Sequence, residues 1–337
     1  MRPPPGAVQA KETSPVSLEL LPDLILTLLL LIMAWGALYA PQRADAMTLF
    51  IAFGIVVALI WARLDAPDLA LAEAAIGAGL TGVLLMHAAR ELPGELHQTN
   101  RTATYWGALA FAVVASLMFL AHLLYDDSLM SAGLLDAETD MTPRLRTLAD
   151  AAVSESGVEH PVTAVLLNFR AWDTLLELLV LLFALSGLRQ LFRDGQSSEN
   201  RATSQWPESL ALMSAWARVL APLLVVTGGY LLWRGSSEPG GAFQAGSLLA
   251  AAAVILRLTG LLPPLRWSSV LLRLSVVAGA LFFLVVAAAT AIWGDGWLVY
   301  PVAYNGLLII TIEAIATLSI AITLSLLVIG EREDLRT

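Results

Sequence analysis

The chain has 337 residues, of which 58% are hydrophobic and only 14% charged, with a mean hydropathy of +0.74. That is more apolar surface than one water-soluble core hides, so the chain reads as a membrane protein. The 28 acidic against 19 basic residues leave no basic tract to replace phosphate counterions, which excludes nucleic acid as a partner, and the absence of cysteine excludes disulfides and iron–sulfur ligation within the chain.

A bilayer core takes about 20 apolar residues per helix. Nine stretches qualify: 20–40, 47–64, 67–89, 103–124, 172–191, 212–233, 242–262, 270–293 and 304–329. They are Leu/Ala-rich and continuous where barrel strands would alternate, so the expected fold class is all-α, a polytopic membrane protein with about nine transmembrane helices. The first span is too long for a cleavable signal and its leader mixes Lys11 with Glu12 and Glu19, so it is expected to stay.

Orientation follows the basic residues. Twelve of the 19 fall in the loops after odd-numbered spans and at the C-terminus, among them Arg43, Arg90, Arg101, Arg189 and Arg201. Under the positive-inside rule this predicts an outside N-terminus and a cytoplasmic C-terminus in the cell (inner) membrane. The longest loop, 125–170, then faces outward. Polar connections at 91–102 and 193–208 divide the chain into three, two and four helices, as domains 1–92, 93–195 and 196–337. No repeat relates the blocks.

Ionisable side chains at membrane depth are functional candidates because they are costly to keep there. In the third span, Pro67 and Asp68 stand in the first turn, where a proline loses no hydrogen bond and a carboxylate meets the positive helix end, so Asp68 reads first as a cap. Glu73 lies over a turn deeper and shares a face with Gly77, and His87 follows 14 residues on, about 21 Å along a helix. The two mark the ends of a possible hydrated track.

The fifth span opens NFRAWDTLLELLVLL, with Arg170, Asp173 and Glu177 on one face. Arg170 is placed to pair with Asp173, and Glu177 is a carboxyl suited to exchange a proton. Glu313 lies near the middle of the last span with Thr317 one turn along on the same face, either an ion-pathway group or a carboxyl hydrogen-bonded to a neighbouring helix.

The glycine-rich connection GGYLLWRGSSEPGGAFQAG lacks the Lys-Ser/Thr pair of a phosphate loop. Its glycines suit a tight turn and close helix packing, with Gly241 and Gly246 against neighbours and Glu238 and Gln244 placed to line a polar entrance. His87 and His122 fall near opposite faces, so one haem cannot reach both. No catalytic constellation or metal-spaced cluster appears, and neither an enzymatic activity nor a cofactor or metal is expected.

Three stretches, in order, resemble one family. APDLALAEAAIGAGL resembles a helix of the three-helix domain at the end of the large A-type component of Mrp-type cation/proton antiporters, found separately as the D-type component of membrane-bound hydrogenases. HPVTAVLLNFRAWDTLLELLVLL resembles the two-helix hydrogenase E-type element, and TGGYLLWRGSSEPGGAFQAGSLLAAAAVIL the four-helix antiporter B-type component, equivalent to the hydrogenase F-type one. Matching positions are Pro67, Asp68, Glu73, Phe169, Arg170, Asp173, Thr174, Glu177, Pro239, Gly240, Gly241, Phe243 and Gly246. The chain departs from the usual pattern at Asn168 (Asp), Leu176 (Gly), Trp172 (Phe or Tyr) and Ala242 (Gly).

The resemblance implies an accessory subunit of a multisubunit Na+/H+ antiporter that contributes a carboxylate-lined cation path. The expected pathway residues are Glu73, Asp173, Glu177 and Glu313, supported by Asp68, His87, Arg170, Thr174 and Thr317, with Pro239, Gly240, Gly241 and Gly246 shaping a structural turn. Partners are then other antiporter or hydrogenase-like subunits, the lipid bilayer, and Na+ and H+ as transported ions. Lys11 is the only lysine and precedes the first span, so the embedded lysines of the large proton-pumping subunits are missing. Two alternatives stand beside this: a module of an energy-converting hydrogenase or other redox-driven complex, and a non-transport scaffold.

Overall fold

The computed structural model describes residues 16–82, 84–85, 147, 151–194, 210–263, 265–294 and 296–330, and no strand occurs among them. The helices are α1 (Val16–Tyr39), α2 (Arg43–Arg63), α3 (Pro67–Ala72), α4 (Pro161–Ala164), α5 (Ala171–Asp194), α6 (Leu210–Arg234), α7 (Ala242–Leu258), α8 (Val270–Trp293) and α9 (Asn305–Ile329). Two of them continue without a break into π-helical segments, α3 into Glu73–Leu80 and α4 into Val165–Phe169. Six helices, α1, α2, α5, α6, α8 and α9, are long and apolar enough to cross a membrane, and α7 is a shorter apolar helix. The protein is an all-α polytopic membrane protein. The expected fourth span, 103–124, lies outside the described residues.

Helix edges differ from expectation in several places: α1 and α2 each begin four residues early, and two further differences have a local cause. The loop expected to run to Arg170 is helical from Pro161, whose fixed φ and missing N–H suit a first helical position. The seventh span ends four residues early, where Gly260 takes a φ of +74°.

Helix α9 is the centre of the bundle and packs against α7, α8 and α5. Lipid-solvated helices gain little from hydrophobic burial against each other, so close approach has to come from small side chains and buried hydrogen bonds. The inward face of α9 carries Ala316, Thr317, Ser319, Ala321, Thr323 and Ser325, all buried. Ser319 Oγ donates to the Val276 carbonyl of α8 at 2.6 Å, and a methyl group at Gly279 would stand 2.9 Å from Ser319 Cβ. On the other side a methyl at Gly246 would stand 2.7 Å from Ile320 Cγ2 of α9. Outward faces of α1, α5, α6 and α8 expose leucine, valine, isoleucine and aromatic residues, as a lipid-facing surface requires.

The N-terminal helices form a second layer. Helices α1 and α2 pair along their length, and Arg63 Nε reaches Asp23 Oδ1 at 2.7 Å. The π-helical segment after α3 lies on α2, with Gly54 of α2 opposite Ala78, and on α7. That last contact joins the N-terminal layer to the central bundle.

The fit at Gly279 can be tested directly. Gly279→Val should destabilise the protein by about 1–3 kcal/mol through overpacking. Gly229→Ala, with nothing within 4 Å of the added methyl, should leave the melting temperature in detergent unchanged or slightly raised.

Candidate functional site

The connections that follow α2 and α6, and those that precede α4 and α9, meet at one end of the bundle. Helix α6 ends at Arg234, which forms an ion pair with Glu238, and the chain turns back through Gly235–Gly241 into α7. Gly240 and Gly241 have φ of +157° and +115°, values unfavourable to any residue with a Cβ. A methyl on Gly240 would also sit 2.4 Å from the Leu231 carbonyl, the acceptor for both Gly235 N–H and Gly241 N–H. Two glycines are therefore required here.

Two other parts of the chain hold this turn. The backbone N–H groups of Glu159 and His160 donate to the Ser236 carbonyl at 2.8 and 3.0 Å, and Thr163 Oγ donates to the Gly235 carbonyl. From α3, Asp68 Oδ1 accepts from Gly240 N–H at 3.0 Å while its Oδ2 lies 2.9 Å from His160 Nε2. A carboxylate only accepts, so that ring nitrogen carries the proton. Gln244 Nε2 reaches the Asp68 carbonyl at 3.4 Å. The expectation that Asp68 caps its own helix does not hold. No side chain caps α3, and the carboxylate turns away to join three separated stretches of sequence, leaving it and His160 13% exposed.

Glu313 lies beneath the turn. It stands eight residues into α9, about 12 Å from the helix start at 1.5 Å per residue. It is 2% exposed, and its Oε2 has no hydrogen-bond partner among the described residues. Its Oε1 would be 3.1 Å from a methyl group on Gly241, and Gln244 Oε1 is the next atom such a methyl would meet. Thr317, a turn further along, donates its hydroxyl to the Glu313 carbonyl at 2.7 Å, so it serves the backbone while remaining able to accept.

The remaining expected residues are distributed along the bundle. Glu73 opens the first π-helical segment, half-buried, with its carboxylate folded over Gly77, where a Cβ would collide with it. The segment's widened turn is sealed by Thr81 Oγ donating to the Ile76 carbonyl at 2.8 Å. In the second, Arg170 N–H reaches back to the Val165 carbonyl, and the helix then breaks at Arg170, with φ −130° and ψ 42°. Thr174 Oγ bridges the break to the Leu166 carbonyl at 2.7 Å. Such π-helical insertions are frequent at functional positions.

Arg170 Nε pairs with Asp173 Oδ2 at 2.8 Å, with side chains 69% and 37% exposed. Glu177, one turn on, is exposed on the outer face of α5 between Leu176 and Val180. His87 lies outside the described residues, and no group of three or more acids and histidines is close enough among the described residues to hold a metal ion. Among the expected residues the turn thus gathers Asp68, Pro239, Gly240, Gly241 and Glu313, with Gly246 one turn into α7; Glu73, Asp173 and Glu177 lie elsewhere.

His160 is a member of the site that sequence reasoning misses. Its only signal is its place before Pro161 at a helix start; its partner Asp68 is 92 residues away.

Known proteins resemble this chain in two sequence domains and in fold. Residues 28–94 match the MbhD family, the D component of MBH, and residues 212–331 the domain related to the MnhB subunit of Na+/H+ antiporter. The chain is 27% identical over 296 residues, 80% of its length, to a probable K(+)/H(+) antiporter A/B protein of Rhizobium meliloti, of which it covers 28%. It is 30% identical over 192 residues, half its length, to an uncharacterized protein of Methanocaldococcus jannaschii, covering 73% of that protein. The putative antiporter component mnhA2 of Staphylococcus epidermidis is 26% identical over 53% of this chain and 21% of its own. The chain thus spans less than a third of these two antiporter proteins. The Mrp complex from Dietzia sp. has the same fold over 92% of this chain and 35% of its own, with a TM-score of 0.69 and 23% identity. In one membrane protein, the chain thus joins an MbhD domain over residues 28–94 to a domain related to the MnhB subunit of Na+/H+ antiporter over residues 212–331, an arrangement similar to a fused A/B-type antiporter protein.

Proposed function

We propose that this chain is a membrane subunit of a multisubunit monovalent cation/proton antiporter and contributes a carboxylate-lined cation path. The observation that carries the reading is Glu313: a carboxyl buried in the central helix with an oxygen that no described protein group satisfies. A group in that state costs several kcal/mol, and a role as hydrogen-bonded glue would supply the missing partner. Exchange of a proton or cation accounts for its retention.

Three further features support the reading. Glu73 opens a π-helical segment on the helix that joins the two layers. Glu177 is an ionisable group on an otherwise apolar membrane-spanning face, which is compatible with a partner subunit covering it but not with bare lipid. The names of the relatives point to antiporter subunits, and the division 1–92, 93–195 and 196–337 reads as three subunit-like modules in one chain. Orientation is proposed from the arginine bias, with the N-terminus outside and the glycine turn on the same outer side. Na+ is the proposed cation; the K(+)/H(+) relative makes K+ the comparison to run beside it.

Without embedded lysines among its spans, the chain depends on partner subunits for proton pumping. The purified single chain in proteoliposomes should show no cation-driven proton flux, and flux should appear only with its co-purified complex. Recovery of iron–sulfur subunits in that complex would move the reading to the redox-driven alternative.

Side-chain chemistry provides the second test. In the assembled complex Glu313→Gln should reduce cation-dependent proton flux at least tenfold, the equivalent of about 1.4 kcal/mol in a barrier, while Glu313→Asp retains part of it. Subunit yield should be unchanged in both. Unimpaired flux with Gln would make Glu313 structural.

The third test separates the two acids in the first two turns of α5, Asp173 and Glu177. Glu177→Gln should abolish flux with assembly intact. The Arg170–Asp173 pair is exposed, so Asp173→Asn should cost at most about 1 kcal/mol of stability in a thermal melt.

A further inference from the structure

We infer that His160 is a positioning residue for Glu313: acting through Asp68, it holds the Gly240–Gly241 turn against the Glu313 carboxyl. The hydrogen bonds form a closed ring. His160 N–H holds Ser236 at the start of the turn at 3.0 Å, its side chain holds Asp68 at 2.9 Å, and Asp68 holds Gly240 at the end of the turn at 3.0 Å. One residue therefore fixes both ends of the same turn, once directly and once through a carboxylate.

The next residue, Gly241, is the one whose backbone lies over Glu313, with room for only a 3.1 Å approach between an added methyl and Oε1. A turn released at Gly240 moves the backbone that covers the carboxyl. Charged groups on the same segments include Asp65 and Glu73 to either side of Asp68, Glu155 and Glu159 before His160, and the Arg234–Glu238 pair at the base of the turn. None of these is a member of the ring. Hydrogen bonds to a charged acceptor are the strong ones, so the contact through Asp68 is the one whose loss matters most.

The inference deepens the reading of Glu313 as an exchanging group and rests on it for its functional meaning, but its test does not. The full chain in membranes is treated with a membrane-permeant carbodiimide, and the labelling rates of Glu313 and Glu177 are followed by mass spectrometry. His160→Ala removes the donor, His160→Asn leaves an amide one methylene short, and His160→Gln places an N–H near the position of Nε2.

The expected result is a several-fold faster labelling of Glu313 in the Ala and Asn variants, a near wild-type rate in the Gln variant, and an unchanged rate at the exposed Glu177. Unchanged Glu313 labelling in Ala and Asn overturns the inference, as does a Gln variant that behaves like Ala. A parallel rise at Glu177 also overturns it, because it marks general loosening. If His160→Ala does not accumulate, the Asn and Gln variants decide alone. Ion flux does not enter, so a Glu313 that carries no ions leaves the positioning role standing, and the reverse holds equally.

Discussion

A carboxyl group buried in a bundle of apolar helices is the constraint around which this fold is arranged. Glu313 sits two turns into the most buried helix, with Gly241 above it and the small buried residues Ala316 and Thr317 following it on α9, where Gly246 of α7 packs against the Thr317 carbonyl. Small residues bring backbones close, which in a membrane is the main way to gain packing energy. They also leave Oε2 of the carboxyl without a hydrogen-bond partner among the described residues. The same choice that tightens the bundle keeps Glu313 chemically available.

Closing the end of the bundle over that group requires the connections to satisfy one another. Loop backbone cannot stay unpaired near the hydrocarbon, so the turn after α6 takes donors from the 159–163 segment and gives one to Asp68. This places Asp68, the 159–163 segment and the 235–241 turn in one contiguous network. The π-helical segments follow directly on α3 and α4, the helices that bring Asp68 and Thr163 to this network, and the hydroxyls of Thr81 and Thr174 complete their irregular backbone pairing.

The surface is divided in a complementary way. The outward faces of α1, α5, α6 and α8 are largely apolar, of the kind lipid accepts, and the exposed charged residues among them are Glu177 on α5, Arg218 on α6 and Arg273 near the start of α8. A charge at membrane depth is costly against lipid, so these few positions stand apart from the rest of the surface.

Membership of the all-α membrane class, the limits of most helices and the identity of the acids at depth were legible in the sequence, because bilayer thickness sets span length and charged residues stand out against apolar runs. Pro67 marks a helix start by local stereochemistry, and Gly240–Gly241 mark a turn that only glycine can make, whereas the helix that starts at Pro161 lies inside an expected loop. These are properties of a few adjacent residues. Which acids meet, and what they meet, is not local. Asp68 has the sequence neighbours of a helix cap, yet its partners are 92 and 172 residues away. His160 carries no periodic signal, and Glu177 and Glu313 stand in equally apolar runs although packing puts one at the surface and the other in the core. Hydropathy ranks residues along a helix, but the direction a residue faces and the loop folded over it are set by helix–helix packing, and only the tertiary structure decides them.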